Sequence, residues 1–279
     1  MLRISIKPTT FSILPIQDGQ NNYIDINKSV RSKKALSQHT ALEKSFKAMI
    51  TYTIETPTKP LPDVVFIANG GLCLPLPKPT ILLPNMKYPQ RKEELPYLKA
   101  IYNDLGIDTI EFPGNEPFEG QAELKWFHNG TKAICGYGFR STKKTFDEVN
   151  TLFKKLFKAP PELLVVHLKC ADYYHLDVAM LEFDNKCVIH KRAFSEESVK
   201  RMREFLGKDN VFIIDTKDSF CLNAVVDGDR LITHMLNKED KEFLEGVTKK
   251  KIHMVDTSEF QKSGGSVRCM TLDVFSGTD

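Results

Sequence analysis

Residues 64–113 read VVFIANGGLCLPLPKPTILLPNMKYPQRKEELPYLKAIYNDLGIDTIEFP, and the order of apolar runs within them sets the architecture of the whole chain. VVFIANGG (64–71) and TILLPN (80–85) read as two strands joined by a short connection. Between Glu93 and Leu105, the residues Leu95, Leu98, Ile101, Tyr102 and Leu105 fall on one side of a helical period, which predicts an amphipathic helix. DTIEFP (108–113) is a third strand. A strand–strand–helix–strand unit of this size cannot bury its sheet alone, so it needs neighbours of the same kind.

Those neighbours follow in order. FEGQAELKWF, KAICGYG, a helix over Asp147–Phe157 and ELLVVHL make a second unit. HLDVAMLEF, CVIHKRAF, a helix over Glu196–Leu206 capped by Ser195, and NVFIIDT make a third. NAVVDGD, RLITHML, a helix over Lys238–Val247 and KIHMVDT make a fourth. At the N-terminus a strand over Tyr23–Ile26, a helix over Lys33–Ile50 and the strand TYTIET (51–56) have no partner before them. At the C-terminus RCMTLDVF (268–275) has no helix after it. Joined, the two ends supply a fifth unit, and the prediction is one α/β domain over residues 1–279, a radially repeated five-bladed propeller closed by its own termini. An ordinary open α/β sheet accounts less well for strands that adjoin without an intervening helix.

In a closed ring the equivalent ends of the five inner strands meet on one axis. Each first strand carries polar residues there: Asn69, Glu119 and Glu123, His175 and Asp177, Asn223, and Cys269. Apolar strands hold such groups poorly unless they are paired or solvated. Read as strands, His175 and Asp177 share one face, as do Glu119 and Glu123. Cys269 follows SGGSVR (263–268), whose glycines allow main-chain N–H groups to face a bound atom. A cysteine nucleophile, a histidine that exchanges protons and several carboxylates form a set suited to a cation, and a guanidinium matches carboxylates in forked pairs. Singly, each residue has a plainer reading: a buried thiol, a satisfied core histidine, a solvated strand end.

Composition removes other classes. The net charge of +3 is too small to demand nucleic acid or a membrane surface, and the 41% hydrophobic fraction suits a globular core. No apolar run approaches the roughly 18 residues of a membrane span, and FSILPI (11–16), broken by Pro15, lacks the form of a signal peptide. The six cysteines are scattered without a C-x-x-C pair, which argues against a metal site or a disulfide scaffold and fits a reducing, cytoplasmic setting. The sequons at Asn27 and Asn129 are then chance matches.

With these residues in view, FEG…E, YYHLD, NAVV…G and DTSEFQKSGGSVRCMTL resemble the guanidino-group-modifying superfamily of amidinotransferases, arginine deiminases, dimethylarginine dimethylaminohydrolases and arginine dihydrolases. The likeness runs from about Tyr23 to Phe275 and is strongest toward the arginine-dihydrolase-like branch, through VFIANGGL, GYGFRS and YIDIN. It implies the five-bladed pentein fold and a small guanidino substrate, with no organic cofactor or metal. By the same resemblance Cys269 is the nucleophile, His175 the general acid/base and Glu119 the catalytic carboxylate. Asp177, Asn69 and Asn27 would face the guanidinium, while Arg91 and Arg140 would take a substrate carboxylate. The chain departs from the pattern at Glu123, where Asp is usual, at Ser266, where a third glycine is usual, and after Asn27, where Pro-Trp is absent.

The expected activity is hydrolysis of arginine or a close derivative through a thiouronium on Cys269. An amidinotransferase would pass the amidino group to an amine instead of water. A catalytically silent binding module of the same fold has no need of the Cys, His and Glu together. A papain-like peptidase would carry its cysteine on a helix near the start of the mature chain.

Overall fold

The computed structural model describes residues 1–13, 21–25, 27–54 and 57–277. Among the described residues, fifteen strands form five separate three-stranded sheets. The strands are β1 (Leu2–Ile6), β2 (Ile50–Tyr52), β3 (Leu72–Leu74), β4 (Thr80–Leu82), β5 (Asp108–Ile110), β6 (Leu124–Phe127), β7 (Lys132–Tyr137) and β8 (Glu162–His167). They continue with β9 (Met180–Phe183), β10 (Lys186–His190), β11 (Val211–Ile214), β12 (Val225–Asp227), β13 (Arg230–Thr233), β14 (Lys251–Met254) and β15 (Leu272–Val274). Four sheets are consecutive, β3-β4-β5, β6-β7-β8, β9-β10-β11 and β12-β13-β14, while the fifth is β15-β1-β2. In every sheet the first and middle strands are antiparallel and the middle and third are parallel. The parallel pair needs a crossover, and a helix supplies it each time. This is the five-bladed α/β propeller, and the first and last strands of the chain close it by pairing Leu2 with Val274 and Ile4 with Leu272.

The crossover helices span Ser32–Ser45, Leu95–Asp104, Lys143–Leu156, Glu196–Leu206 and Lys238–Thr248. Three begin on a side chain that accepts a main-chain N–H: Thr142, Ser195 as expected, and Asn237. Apolar residues gather between neighbouring sheets. Leu72, Leu74 and Leu82 of one blade pack with Leu124, Ala133, Cys135, Phe146 and Phe153 of the next. Each fully buried leucine or phenylalanine contributes about 1.5–3 kcal/mol, so the blades hold each other through these shared layers.

Two expectations about the N-terminal segment are corrected. The middle strand of the closing sheet is Leu2–Ile6, and Tyr23–Asp25 is no strand; residue 26 lies outside the described residues. The strand expected over TYTIET is Ile50–Tyr52, with residues 55 and 56 outside the described residues. LRISI is a short run that carries little signal in the sequence, whereas YIDIN imitates a strand by its polar spacing although Asp25 Oδ1 accepts the Asn27 N–H.

The helix Ser32–Ser45 buries His39 completely, with neither ring nitrogen hydrogen-bonded and Glu43 Oε2 at 3.9 Å from Nδ1. Burial pulls this imidazole down to about 4 against the attraction of Glu43. An unfolded chain takes up that proton near pH 6.5, so between about 6.5 and 4 the unfolded state binds more protons and stability falls as pH is lowered. Across that window His39 is expected to account for about 3 kcal/mol of acid sensitivity. His39→Leu should remove that share, measured by urea denaturation at neutral pH and near the lower end of the window. His190, also held down to about 4 by burial, would keep its own.

Among the described residues, no helix is long and apolar enough to cross a membrane.

Candidate active site

The polar residues singled out in the sequence do not lie on the inner strands. They lie in or beside tight turns just before them: Ile67–Gly70 before β3, Gly120–Ala122 before β6, Leu176–Ala179 before β9, residues 219–222 before β12, and Phe260–Ser263 with the segment to Thr271 before β15. The faces expected for His175 with Asp177, and for Glu119 with Glu123, are therefore set by turns rather than by a strand's alternation. Gly120 shows why the chain turns here. Its φ is +62°, and a Cβ would lie 2.4 Å from the carbonyl oxygen of Gly71 in the neighbouring turn.

Hydrogen bonds join turn to turn around the axis. The Ala68 N–H donates to the Cys269 carbonyl (3.1 Å), and the Gln121 N–H to that of Gly71 (2.9 Å). Glu119 meets His175 at 2.8 Å. Asn223 Nδ2 donates to the Asp177 carbonyl (3.0 Å), and the Arg268 N–H to Asn223 Oδ1 (3.0 Å). The five turns thus form a closed circuit, and their side chains converge as the propeller reading required.

Cys269, His175, Asn69, Arg91 and Arg140 line one cavity of about 20 Å³. Glu119 stands behind His175, its Oε2 at 2.8 Å from Nε2. Asn69 Nδ2 also donates to that oxygen (3.3 Å), and Arg140 Nη1 does so at 3.1 Å. Burial would raise the Glu119 carboxyl, but Arg140 and His175 outweigh it and hold the group well below the usual range. His175 is lowered too, but here by burial, which outweighs the raising pull of Glu119. A neutral His175 donates a hydrogen bond from Nε2–H to the ionised Glu119, which leaves Nδ1 as the basic nitrogen.

Asp177 is buried, with Oδ2 3.5 Å from Cys269 Sγ and Oδ1 without a partner among the described residues. Burial and the Asp177 charge push the Cys269 thiol well above its ordinary value. A protonated sulfur thus lies beside a buried carboxylate whose second oxygen has no partner among the described residues, an arrangement suited to a hydrogen-bonding cation.

Arg140 is held between the rings of Tyr88 and Tyr174, with 4.7 Å from its guanidinium carbon to each centroid. Arg91 is locked more tightly. It pairs with Glu94 through Nε (2.8 Å) and Nη2 (3.0 Å) and donates from Nη1 to Asn69 Oδ1 (2.7 Å). Its donors are thus taken up within the protein, and its visible effect is to orient Asn69.

Two expected substrate contacts fall elsewhere. Asn27 is exposed, and its main-chain and side-chain N–H groups both turn to Asp25 Oδ1 (3.0 and 3.1 Å). Asn21 lines the cavity instead, its amide donating to the Ser263 carbonyl at 3.1 Å. Glu123 accepts the N–H groups of Glu119 (2.8 Å) and Ser141 (3.1 Å) and is not in the cavity wall. Burial and the nearby Glu119 push its carboxyl up to about 8. Ser266, in place of a third glycine, has its hydroxyl on Thr257 at 2.8 Å. Asp63, Tyr88 and Tyr174 also line the cavity and were not singled out. Tyr174 was within reach, since it adjoins His175 in YYHLD. Asp63 follows Pro62 and reads from sequence as part of a turn.

Glu123→Asp is expected to cost about 1–3 kcal/mol, because the shorter chain cannot reach both buried N–H groups at once. Denaturation curves check this, and a matching loss of activity would show that Glu119 has shifted with its N–H.

Among the described residues no group of three or more histidines, cysteines or carboxylates is placed to hold a metal. All six cysteines are free.

Five blades, with a thiol, an imidazole and carboxylates near their axis, agree with a protein of the guanidino-group-modifying superfamily, to which the following matches assign the chain. A family model described as N,N dimethylarginine dimethylhydrolase, eukaryotic, matches residues 8–276, and the chain belongs to that family. It is 29% identical over 255 residues to a bifunctional arginine dihydrolase/ornithine cyclodeaminase of Synechocystis sp., a match covering 90% of this chain and 34% of that protein. The chain therefore spans about a third of the length of that relative. It is 25% identical over 260 residues to an N(G),N(G)-dimethylarginine dimethylaminohydrolase of Mycobacterium tuberculosis, covering 91% of this chain and 80% of that one. Among solved structures, the N-terminal domain of a cyanobacterial arginine dihydrolase, covalently bound to a reaction intermediate, superposes with a TM-score of 0.84 at 23% identity over 97% of this chain and 96% of that one. The last match bears on the fold alone.

Proposed function

We propose that the chain hydrolyses arginine or a close derivative through a covalent intermediate on Cys269. The observation that carries the reading is that His175 and Cys269 line one cavity, each backed by a buried carboxylate. Glu119 is hydrogen-bonded to His175, and Asp177 Oδ2 lies 3.5 Å from the Cys269 sulfur.

A guanidinium seated on Asp177 and Asn69 brings positive charge to the thiol, which then loses its proton more readily, to the neutral imidazole of His175. The sulfur attacks the central guanidino carbon. The C–N bond to the departing nitrogen breaks, and His175 delivers the proton that nitrogen needs. Water then attacks the thiouronium carbon, His175 takes a proton from it, the C–S bond breaks and a ureido product leaves. Glu119 holds the charge on the imidazole as the proton comes and goes. The names of the two relatives support the substrate class: one acts on arginine, the other on dimethylarginine.

A cavity of about 20 Å³ holds one water, so the walls must part to admit arginine. Arg140 is the side chain to move, since its guanidinium already sits on Glu119 and a substrate would compete with it. The test is to incubate the protein with arginine, methylated arginines, agmatine and citrulline and to assay ammonia, methylamines and ureido products. A ureido product from one of the guanidines supports the reading. A new guanidino compound formed only when glycine or another amine is added would replace it with amidino transfer, and no product from any of them would remove it.

A further inference from the structure

Asn223 is fully buried, and its carboxamide is engaged at both ends. Oδ1 accepts the main-chain N–H groups of Arg268 (3.0 Å) and Cys269 (3.3 Å). Nδ2 donates to the Asp177 carbonyl (3.0 Å) and lies 3.2 Å from Cys269 Sγ. A main-chain N–H can only donate and a carbonyl oxygen can only accept. The amide therefore has one orientation: a flip would set its NH₂ against two donors and its oxygen against an acceptor. One Nδ2 proton goes to the Asp177 carbonyl, and the sulfur is the partner of the other. The nucleophile thus faces a donor that cannot turn away.

We propose that Asn223 is a catalytic residue for the reaction inferred above, its fixed N–H stabilising the thiolate of Cys269 whenever the sulfur carries charge. This rests on the reading of Cys269 as the nucleophile. The sulfur is anionic at two moments, before it attacks the guanidino carbon and again as the C–S bond breaks. Between them it is a neutral thioether-like atom. A donor aimed at it therefore lowers the barrier to attack and to release without stabilising the intermediate between them. Asp177 on its own does the opposite, since its carboxylate accepts a hydrogen bond from the thiol at 3.5 Å but repels a thiolate. Once a guanidinium occupies Asp177, that repulsion is offset and the Asn223 N–H remains. The other ionisable groups facing the sulfur are Tyr174 and His175, and across the cavity Asp63, Arg91 and Arg140. Hydrogen bonding from the Ser266 main-chain N–H and from Asn223 draws the thiol downward, against burial and Asp177.

The test is Asn223→Asp, which keeps the shape and an oxygen for the two main-chain N–H groups but presents an acceptor to the sulfur. Alkylation of Cys269 by iodoacetamide and by 2-chloroacetamidine, followed by mass spectrometry across pH, reads the thiol directly. The expected result is an apparent thiol pKa at least about one unit higher, hence alkylation roughly tenfold slower at any pH below it. The kcat for arginine should fall by a similar factor or more, with KM changed by less than about threefold. Asn223→Ala is made alongside, and whichever variant keeps the wild-type near-ultraviolet circular dichroism decides. A wild-type alkylation profile in that variant overturns the proposal even if kcat falls, because the amide would then serve only to shape the turn. Retained turnover in Cys269→Ala would instead overturn the nucleophile reading, so the two failures can be told apart.

Discussion

Cys269→Ala is expected to leave no measurable ureido product or ammonia from arginine, and His175→Ala to slow turnover by about 10²–10⁴-fold. The first removes the atom that forms the bond to carbon, and no other thiol lines the cavity. The second leaves the sulfur in place but takes away the group that supplies and removes protons. Neither should unfold the protein. Among the described residues, Cys269 Sγ hydrogen-bonds to two side chains, Asn223 and Asp177, and its loss should cost about 1 kcal/mol. Thermal melts of both variants beside the activity assay separate a chemical loss from a structural one. Full activity in Cys269→Ala would remove the mechanism outright.

Glu94→Ala should be the most damaging single change to stability, by about 3–5 kcal/mol. Arg91 and Glu94 are both almost fully buried and joined by two short bonds, so removing the carboxylate strands a guanidinium that water cannot reach. The damage would extend to the site, because Arg91 Nη1 fixes Asn69 Oδ1 and Asn69 in turn faces Glu119 and His175. Urea denaturation measures the stability loss. A change below about 1 kcal/mol would mean that Arg91 finds another partner and that the pair is dispensable.

The repeat of elements was legible because each blade restates it: two short apolar runs, an amphipathic helix, a third run. Ser195 marked its helix start, and the observed Glu196–Leu206 agrees with the expected bounds. The convergence of Cys269, His175, Glu119, Asp177 and Asn69 followed from that repeat, since equivalent positions in a ring must approach the axis. What the pattern could not resolve was one turn of chain. Asn69, Glu119 and His175 adjoin strands so closely that they read as part of them, yet the backbone there is wound into single turns that interlock with their neighbours. Arg91 and Glu94, three residues apart in PQRKEE, have the look of a solvated charged run; only the packing of the loop beneath Asp63 and Phe66 reveals that they are buried. Asn27 satisfied a motif by its spacing, but the local bond to Asp25 claims it. Tyr88 and Tyr174 carried no periodic signal, because an aromatic ring that flanks an arginine is indistinguishable in sequence from one that fills a core.

In the proposed mechanism, the sheet that unites β1 with β15 couples the latch to the chemistry. The segment that carries Cys269 also supplies the strand that fastens the last blade to the first. A chain cut behind residue 260 would lack both, so loss of the latch and loss of turnover are expected together.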